Sequence, residues 1–169
     1  LKPDVGEARL SGRMQAVIEL GVGFDPLLTG RENVRMGAAL QDLDRRATGA
    51  LQERVIDFAE LGDFIDAPLQ SYSSGMRARL AYAMAASAEP DVLMIDEVLA
   101  VGDAAFQRKC LDWIDNFRKT GTLLFVSHSM AEVRRLCTRA IWIEEGRIRE
   151  QGEKVGFADG FPLLLIGQA

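Results

Sequence analysis

Two carboxylates stand directly behind a short apolar run in the sequence. Residues 92–95 are Val-Leu-Met-Ile, and Asp96 and Glu97 follow them. A buried strand would hold Asp96 rigidly, so that its carboxylate can position Mg²⁺ through a bound water. Glu97 would then orient or deprotonate an attacking water. An ordinary strand followed by a solvated acidic turn has the same pattern, so the pair by itself leaves both interpretations open.

A histidine closes a second apolar run. Residues 123–126 are followed by Ser127 and His128, and His128 is the only histidine in the sequence. At a strand end it could contact a γ-phosphate and sense its presence, whereas a lone histidine also fits a purely structural role. The carboxyl ends of parallel strands meet at one sheet edge, where ligands bind. Asp96 and His128 are therefore expected at the same edge, which favours the phosphate-sensing role.

A third candidate site is Ser73-Ser74-Gly75, which precedes an alanine-rich run at residues 78–88 that favours a helix. Hydroxyls and free backbone N–H groups at a helix N-terminus make an anion site. A simple N-cap followed by a glycine explains the same three residues, and alone they do not distinguish the two. We expect residues 71–76 to form a polar, flexible loop.

The elements that would position these residues alternate between strands and helices. The predicted strands lie at residues 13–20, 92–95 and 123–126, with a hairpin of 141–143 and 147–149 around Glu145-Gly146. The predicted helices are 31–40, capped by Thr29, then 45–61, 78–88 and 104–118. This alternation predicts an α/β fold with a mostly parallel sheet covered on both faces. Residues 30–88 form a mainly helical block.

The composition limits the class of protein. The chain has 169 residues, of which 48% are hydrophobic and 27% charged, which fits one folded domain. No stretch reaches the roughly 18–20 apolar residues of a membrane span, and we expect no signal peptide. The net charge of −5 argues against a general nucleic-acid binder. Cys110 and Cys137 lack the spacing of a zinc site, and we expect reduced thiols rather than a disulfide.

Taken together, the motifs resemble the ATP-binding cassette of ABC transporters in order and spacing. Residues 72–76 match the signature loop, residues 92–97 the Walker B strand, Asp103 the D-loop aspartate, and His128 the switch histidine. The resemblance covers about residues 1–152. It implies ATP and Mg²⁺ as ligands, with Asp96 at the metal and with Glu97 and His128 as catalytic residues.

The resemblance also implies a partner subunit. In the family, the signature loop completes the ATP site of the opposite subunit in a head-to-tail dimer. Ser73, Ser74 and Gly75 would therefore contact the partner's ATP, and Asp103 would meet the partner subunit. The family usually has a glutamine, in its Q-loop, where Glu19 stands. Glu19 could contact the metal or could be a surface acid at a strand end.

The fold implied is a P-loop NTPase-like ABC cassette that lacks its N-terminal portion. The P-loop pattern G-x-x-x-x-G-K-[ST], expected just before Leu1, is absent, so we expect the chain to bind ATP very weakly by itself. We expect a partial domain with a helical subdomain at 30–88 that carries the signature loop. The catalytic core would lie at 89–152, and a divergent tail that matches nothing in the family at 153–169.

One subgroup of the family resembles this chain in further sequence motifs. Its signature loops often read Tyr-Ser-Ser-Gly-Met, and residues 29–33, 58–62 and 100–106 are also similar to ATPases of polysaccharide, O-antigen and teichoic-acid exporters. This similarity implies an ATP-hydrolysing exporter subunit at the cytoplasmic face of the bacterial inner (plasma) membrane. A membrane permease and a second ATPase subunit, in a homodimer, would be its partners, and nucleic acid would not.

Two other functions fit parts of the sequence. A non-hydrolysing partner could lend Ser73–Gly75 to a complete cassette, although such a donor has no need of Asp96, Glu97 and His128. A soluble ABC ATPase of DNA repair or translation usually shows a long coiled coil or two cassettes in one chain. The sequence shows neither feature, and its net charge is acidic.

Overall fold

Short apolar segments form the strands of one sheet. The computed structural model describes residues 3–17, 23–96, 102–153 and the backbone of 163–167. Six strands are formed in these residues: β1 Met14–Val17, β2 Val92–Asp96, β3 Thr122–Ser127, β4 Arg139–Glu144, β5 Arg147–Glu153 and β6 Leu163–Gly167. Their order in the sheet is β1-β2-β3-β6-β4-β5.

The predicted parallel strands form one half of this sheet. β1 pairs in parallel with β2, and β2 with β3, in a register that places Asp96 opposite Val126. Side chains alternate along β2 and β3, where Leu93 and Phe125 are completely buried and their chain neighbours are half-buried. The strand predicted at 13–20 is confirmed for Met14–Val17, and residues 18–20 lie outside the described residues.

Antiparallel pairings form the other half of the sheet. The predicted hairpin is confirmed as β4 and β5, and Glu145 and Gly146 between them have φ values of 49° and 71°. Two left-handed residues in succession are typical of a type I′ turn. β6 lies between β3 and β4 and is antiparallel to both. The sequence analysis described residues 153–169 only as a divergent tail and assigned no element to it, so β6 is an addition to the predicted fold.

Five α-helices and two 3₁₀ turns complete the described fold. They are α1 Gly30–Ala39, α2 Arg45–Ala59, the turns Gly62–Asp66 and Leu69–Ser71, α3 Ser74–Ser87, α4 Ala104–Phe117 and α5 Met130–Leu136. Thr29 caps α1 as predicted, because its Oγ1 accepts from Glu32 N at 3.1 Å while Glu32 Oε2 accepts from Thr29 N at 2.8 Å. The loop predicted at 71–76 is wrong in its second half, since Ser73 caps a helix that begins at Ser74.

The buried residues form two apolar clusters that share α3. One cluster lies between the sheet and α3, α4 and α5, and the other lies within α1, α2 and α3. Tyr82 of α3 belongs to the first and Leu80 to the second. The second half of α3, from Ala78 onward, has buried residues on both of its sides, as expected for a helix that packs on two neighbours. The division of the chain into a helical subdomain and a catalytic core stays a prediction.

Both cysteines lie in the interior of the described fold. Cys110 and Cys137 are buried free thiols, as expected. Burial raises the pKa of the Cys110 thiol to about 12, which keeps it protonated and unreactive. None of the helices in the described part of the chain has the length and hydrophobicity of a membrane span.

Two glycines within helices give opposite predictions for the same substitution. A Cβ at Gly30 would overlap the Tyr72 hydroxyl and lie 3.0 Å from the backbone oxygen of Ile65, whereas a Cβ at Gly49 meets nothing within 4 Å. We expect Gly30→Ala to lower the free energy of unfolding by about 1–3 kcal/mol through overpacking. Gly49→Ala should raise it by about 0.4–1 kcal/mol, because alanine restricts the unfolded chain. Urea unfolding measures the free energy of unfolding of both variants. Equal changes in this free energy would contradict the close packing around Gly30.

Candidate functional site

The register of β2 and β3 brings two predicted site residues to the same sheet edge. Asp96 ends β2 opposite Val126, and β3 continues for one residue to Ser127, with His128 next in the chain. Asp96 is half-buried and His128 is exposed. Both therefore lie at the carboxyl ends of neighbouring parallel strands, the position at which such sheets bind ligands.

A buried serine fixes the turn that carries His128. Ser127 is 3% exposed, and its Oγ donates to Glu132 Oε2 of α5 at 3.2 Å. The same oxygen accepts from Ser129 N at 3.0 Å. The backbone on both sides of His128 is thus tied to α5. The sequence analysis gave no role to Ser127 or Glu132. The one sequence feature that could have indicated their contact is the acid in the first turn of the helix that follows β3.

Two predicted residues fall outside the described part of the chain. Glu97 follows Asp96 directly, and Glu19 follows β1 by two residues. Their roles as catalytic base and as metal contact stay predictions from the sequence.

The signature loop is anchored at one end and open at the other. Tyr72 is 3% exposed, and its hydroxyl donates to the Phe64 carbonyl at 2.5 Å, while burial raises the pKa of the phenol. Ser73 Oγ accepts from Met76 N at 3.2 Å and so caps α3. Ser74 is exposed, and a Cβ built at Gly75 would meet only Ser73 Oγ, at 3.8 Å. The first turn of α3 therefore presents backbone N–H groups that an anion can approach.

Asp103 uses both carboxylate oxygens within its own chain. Its Oδ1 accepts from Ala105 N at 3.1 Å and from Phe106 N at 2.9 Å, which caps α4. Its Oδ2 accepts from Arg79 Nη2 of α3 at 2.7 Å. The Phe106 amide, together with the Arg79 guanidinium, holds the pKa of this carboxyl below its ordinary value. The contact with a partner subunit that the sequence predicts for Asp103 stays a prediction.

A buried asparagine that the sequence analysis did not single out shapes the loop before α1. Asn33 is completely buried, and its Oδ1 accepts from Asp25 N at 2.8 Å. Its Nδ2 donates to Asp25 O at 3.0 Å and to Thr29 O at 2.9 Å. One amide thus holds the segment 25–29 in place. The only signal was that residues 29–33 are similar to the exporter subgroup.

Asp96, at the end of β2, carries the type of oxygen ligand that Mg²⁺ takes in proteins. Among the described residues, no group of three or more His, Cys, Asp or Glu side chains could hold a metal. Mg²⁺ is usually bound by one or two carboxylates together with waters and phosphate oxygens. The role of Asp96 as a metal ligand stays a prediction from the sequence.

Comparisons with known proteins agree with this arrangement. Residues 4–100 match the family described as ABC transporter. The chain is 52% identical over 153 residues to the O-antigen export system ATP-binding protein RfbB of Klebsiella pneumoniae, covering 90% of this chain and 62% of that protein. It is 42% identical over 153 residues to the teichoic acids export ATP-binding protein TagH of Listeria monocytogenes, covering 90% of this chain and 45% of that protein. The chain thus spans about 62% or less of the length of these two relatives.

Solved structures share the fold. The dimeric post-hydrolysis state of the ATP-binding cassette MJ0796 bound to ADP and Pi superposes with a TM-score of 0.68 at 21% identity, covering 86% of this chain and 64% of that chain. An ATP binding subunit of an ABC transporter superposes with a TM-score of 0.71, also at 21% identity, over 83% of this chain and 59% of that one. The family match covers more than half of the chain, so the predicted family is confirmed: the chain belongs to the ABC transporter family.

Proposed function

We propose that the complete protein is the ATP-hydrolysing subunit of an ABC exporter and that its transported substrate is a lipid-linked polysaccharide, of the O-antigen or teichoic-acid class. The observation that carries the proposal is the pairing of β2 with β3, which places Asp96 and His128 at one sheet edge. The substrate class is supported by the names of the relatives RfbB and TagH.

At its own ATP site, the chain would supply three side chains. Mg²⁺, when bound, would neutralise charge that develops on the phosphate oxygens. Asp96 would hold the ion from the rigid end of β2. Glu97 would accept the proton of the attacking water. His128, fixed by the turn around Ser127, would donate to an oxygen of the γ-phosphate and so distinguish ATP from ADP.

At the ATP site of a second subunit, the chain would supply the first turn of α3. Ser74 and Gly75 lie at the open end of the signature loop, and the helix dipole favours negative charge there. Closure of two cassettes around two ATP molecules, followed by hydrolysis, would drive a membrane permease. The helical block at 30–88 would dock on that permease from the cytoplasmic face of the membrane.

We propose ATP binding for the complete natural protein rather than for these 169 residues alone. The P-loop pattern is not found in the 169 residues, and the relatives extend beyond the matched part. In the family, backbone N–H groups and a lysine of that loop hold the β- and γ-phosphates.

The test is reconstitution of the natural protein, with the membrane proteins that co-purify with it, in liposomes. We expect ATP hydrolysis that depends on Mg²⁺, stops with EDTA and accelerates when a lipid-linked glycan is included. Export is read from glycan that becomes protected from an added glycosidase. Absence of hydrolysis would contradict the proposal. A protein that is inactive alone but restores turnover to a cassette with a disabled signature loop would support the donor function instead.

A further inference from the structure

Tyr72, the first residue of the signature loop, is bonded through its side chain and its backbone. Its hydroxyl donates to the Phe64 carbonyl of the first 3₁₀ turn at 2.5 Å, and its backbone N–H donates to the Leu69 carbonyl at 3.0 Å. Its own carbonyl accepts from Arg77 Nη2 of α3 at 3.2 Å. Tyr72 is therefore a fixed point just ahead of the exposed Ser74.

A glycine makes room for the Tyr72 hydroxyl. A Cβ at Gly30 would overlap that hydroxyl, and it would lie 2.9 Å from Ile65 Cδ1 and 3.0 Å from the Ile65 carbonyl oxygen. Gly30 is buried at the start of α1. A side chain at residue 30 would push the hydroxyl away from the Phe64 carbonyl. The hydrogen bond of Tyr72 thus depends on the glycine of another helix.

The turn that receives the hydroxyl is itself held against α1. Arg31 donates from Nε to Asp66 Oδ1 at 2.7 Å and from Nη2 to Asp66 Oδ2 at 2.9 Å, which makes a bidentate pair. The Phe64 carbonyl also accepts from Ala67 N at 2.9 Å, which closes the turn on itself. Since the turn has these bonds of its own, loss of the tyrosine hydroxyl would release the signature loop rather than the turn.

The residues after Tyr72 depend on its orientation. Ser73 follows directly and caps α3 by accepting from Met76 N. A rotation of Tyr72 would therefore turn Ser73 and, with it, the N–H groups of the first turn of α3. A hydrogen bond weakens when its donor turns away from the acceptor. The proposed function assigns these N–H groups to the ATP of a second subunit.

We infer that the Tyr72 hydroxyl, accommodated by Gly30, is a positioning group that sets the direction in which the first turn of α3 presents its N–H groups to a partner's ATP. Tyr72 is buried and acts through the residues that follow it, so it is a positioning residue and not a catalytic one. This inference rests on the proposed function, because it assigns a role within the same pair of ATP sites.

The first test is Tyr72→Phe in the reconstituted natural protein. Phenylalanine keeps the buried ring and loses only the hydroxyl. Amide hydrogen exchange of residues 73–76 should become about 2- to 10-fold faster, the factor that one hydrogen bond contributes to an opening equilibrium. The kcat of ATP hydrolysis should fall by a similar factor. The KM for ATP should stay within about twofold, because ATP meets the signature loop only when two cassettes close.

The second test combines this change with Gly30→Ala. Alone, Gly30→Ala should lower kcat in the same way, because the added methyl displaces the hydroxyl. In the Tyr72→Phe background the methyl has lost its nearest obstacle, so it should lower kcat little further. It should also lower the urea midpoint of unfolding by less than it does in the unchanged protein. Additive effects of the two substitutions would contradict the dependence of Tyr72 on Gly30.

The matched control is Tyr82→Phe, the same change at the other tyrosine of the sequence. Tyr82 is completely buried in α3, and among the described residues its hydroxyl has no hydrogen-bond partner. Its loss should leave both the exchange of residues 73–76 and kcat unchanged. The inference is wrong if Tyr72→Phe behaves like the unchanged protein, or if Tyr82→Phe has the same effects. A natural protein that hydrolyses no ATP would contradict the proposed function itself, whereas the exchange measurement would still show whether Tyr72 fixes the loop.

Discussion

Replacing Glu97 by glutamine should reduce the kcat of ATP hydrolysis by about 10²–10⁴-fold, the usual contribution of a general base. Glutamine has nearly the same shape as glutamate but cannot accept the proton of the attacking water. Asp96 remains in place at the end of β2, so the KM for ATP should change little. The measurement is phosphate release at saturating Mg-ATP by the natural protein in liposomes.

The control for this prediction is Glu145→Gln. Glu145 lies in the turn between β4 and β5 and is exposed, and its loss of charge should leave turnover unchanged. A Glu97→Gln protein that retains its turnover would show that another group accepts the proton. In that case Asp96, as the predicted metal ligand, would be the only member of the acidic pair with a role in hydrolysis.

Asn33→Ala should lower the free energy of unfolding by about 2–4 kcal/mol, because buried groups that lose a hydrogen-bond partner each cost about 1–3 kcal/mol. The substitution removes the partner of Asp25 N and the donor to the Asp25 and Thr29 carbonyls. Thr29 O still accepts from Asn33 N of the backbone at 3.0 Å, which limits the loss. Urea unfolding followed by circular dichroism gives the change, provided the slope with denaturant is constant.

An exposed asparagine provides the comparison. Asn116 of α4 is exposed, and its Oδ1 accepts from Lys119 Nζ at 2.8 Å. Asn116→Ala should change the free energy of unfolding by less than about 0.5 kcal/mol, as is usual for surface positions. If the two alanine variants unfold at the same urea concentration, Asn33 does not hold the 25–29 segment in the way the contacts indicate.

The parts of the fold that local chemistry determines were predictable from the sequence. The capping box of Thr29 and Glu32 determines where α1 begins, and the Glu145-Gly146 turn determines the hairpin. The apolar runs that end in Asp96 and His128 predicted two parallel strands and their common edge. Each of these signals lies within a few residues of the feature that it predicts.

The parts that depend on distant partners were not predictable in this way. No strand was assigned to the apolar residues 163–166, and nothing in them specifies a place between β3 and β4. Asn33 is one of many polar residues until the 25–29 segment folds around it. The bond between Arg79 and Asp103 joins positions that only the packing of α3 against α4 brings together.

The place of β6 in the sheet has a consequence for biosynthesis. β3 and β4 acquire their common neighbour only after residues 163–167 have been translated. At about 5–20 residues per second, the interval between Glu144 and Gly167 lasts about 1–5 s. During this interval both strands expose unpaired backbone edges, which favour pairing with other chains. The nascent chain is thus open to pairing with other chains until β6 is added, and slower decoding of the codons for residues 145–167 would prolong that period.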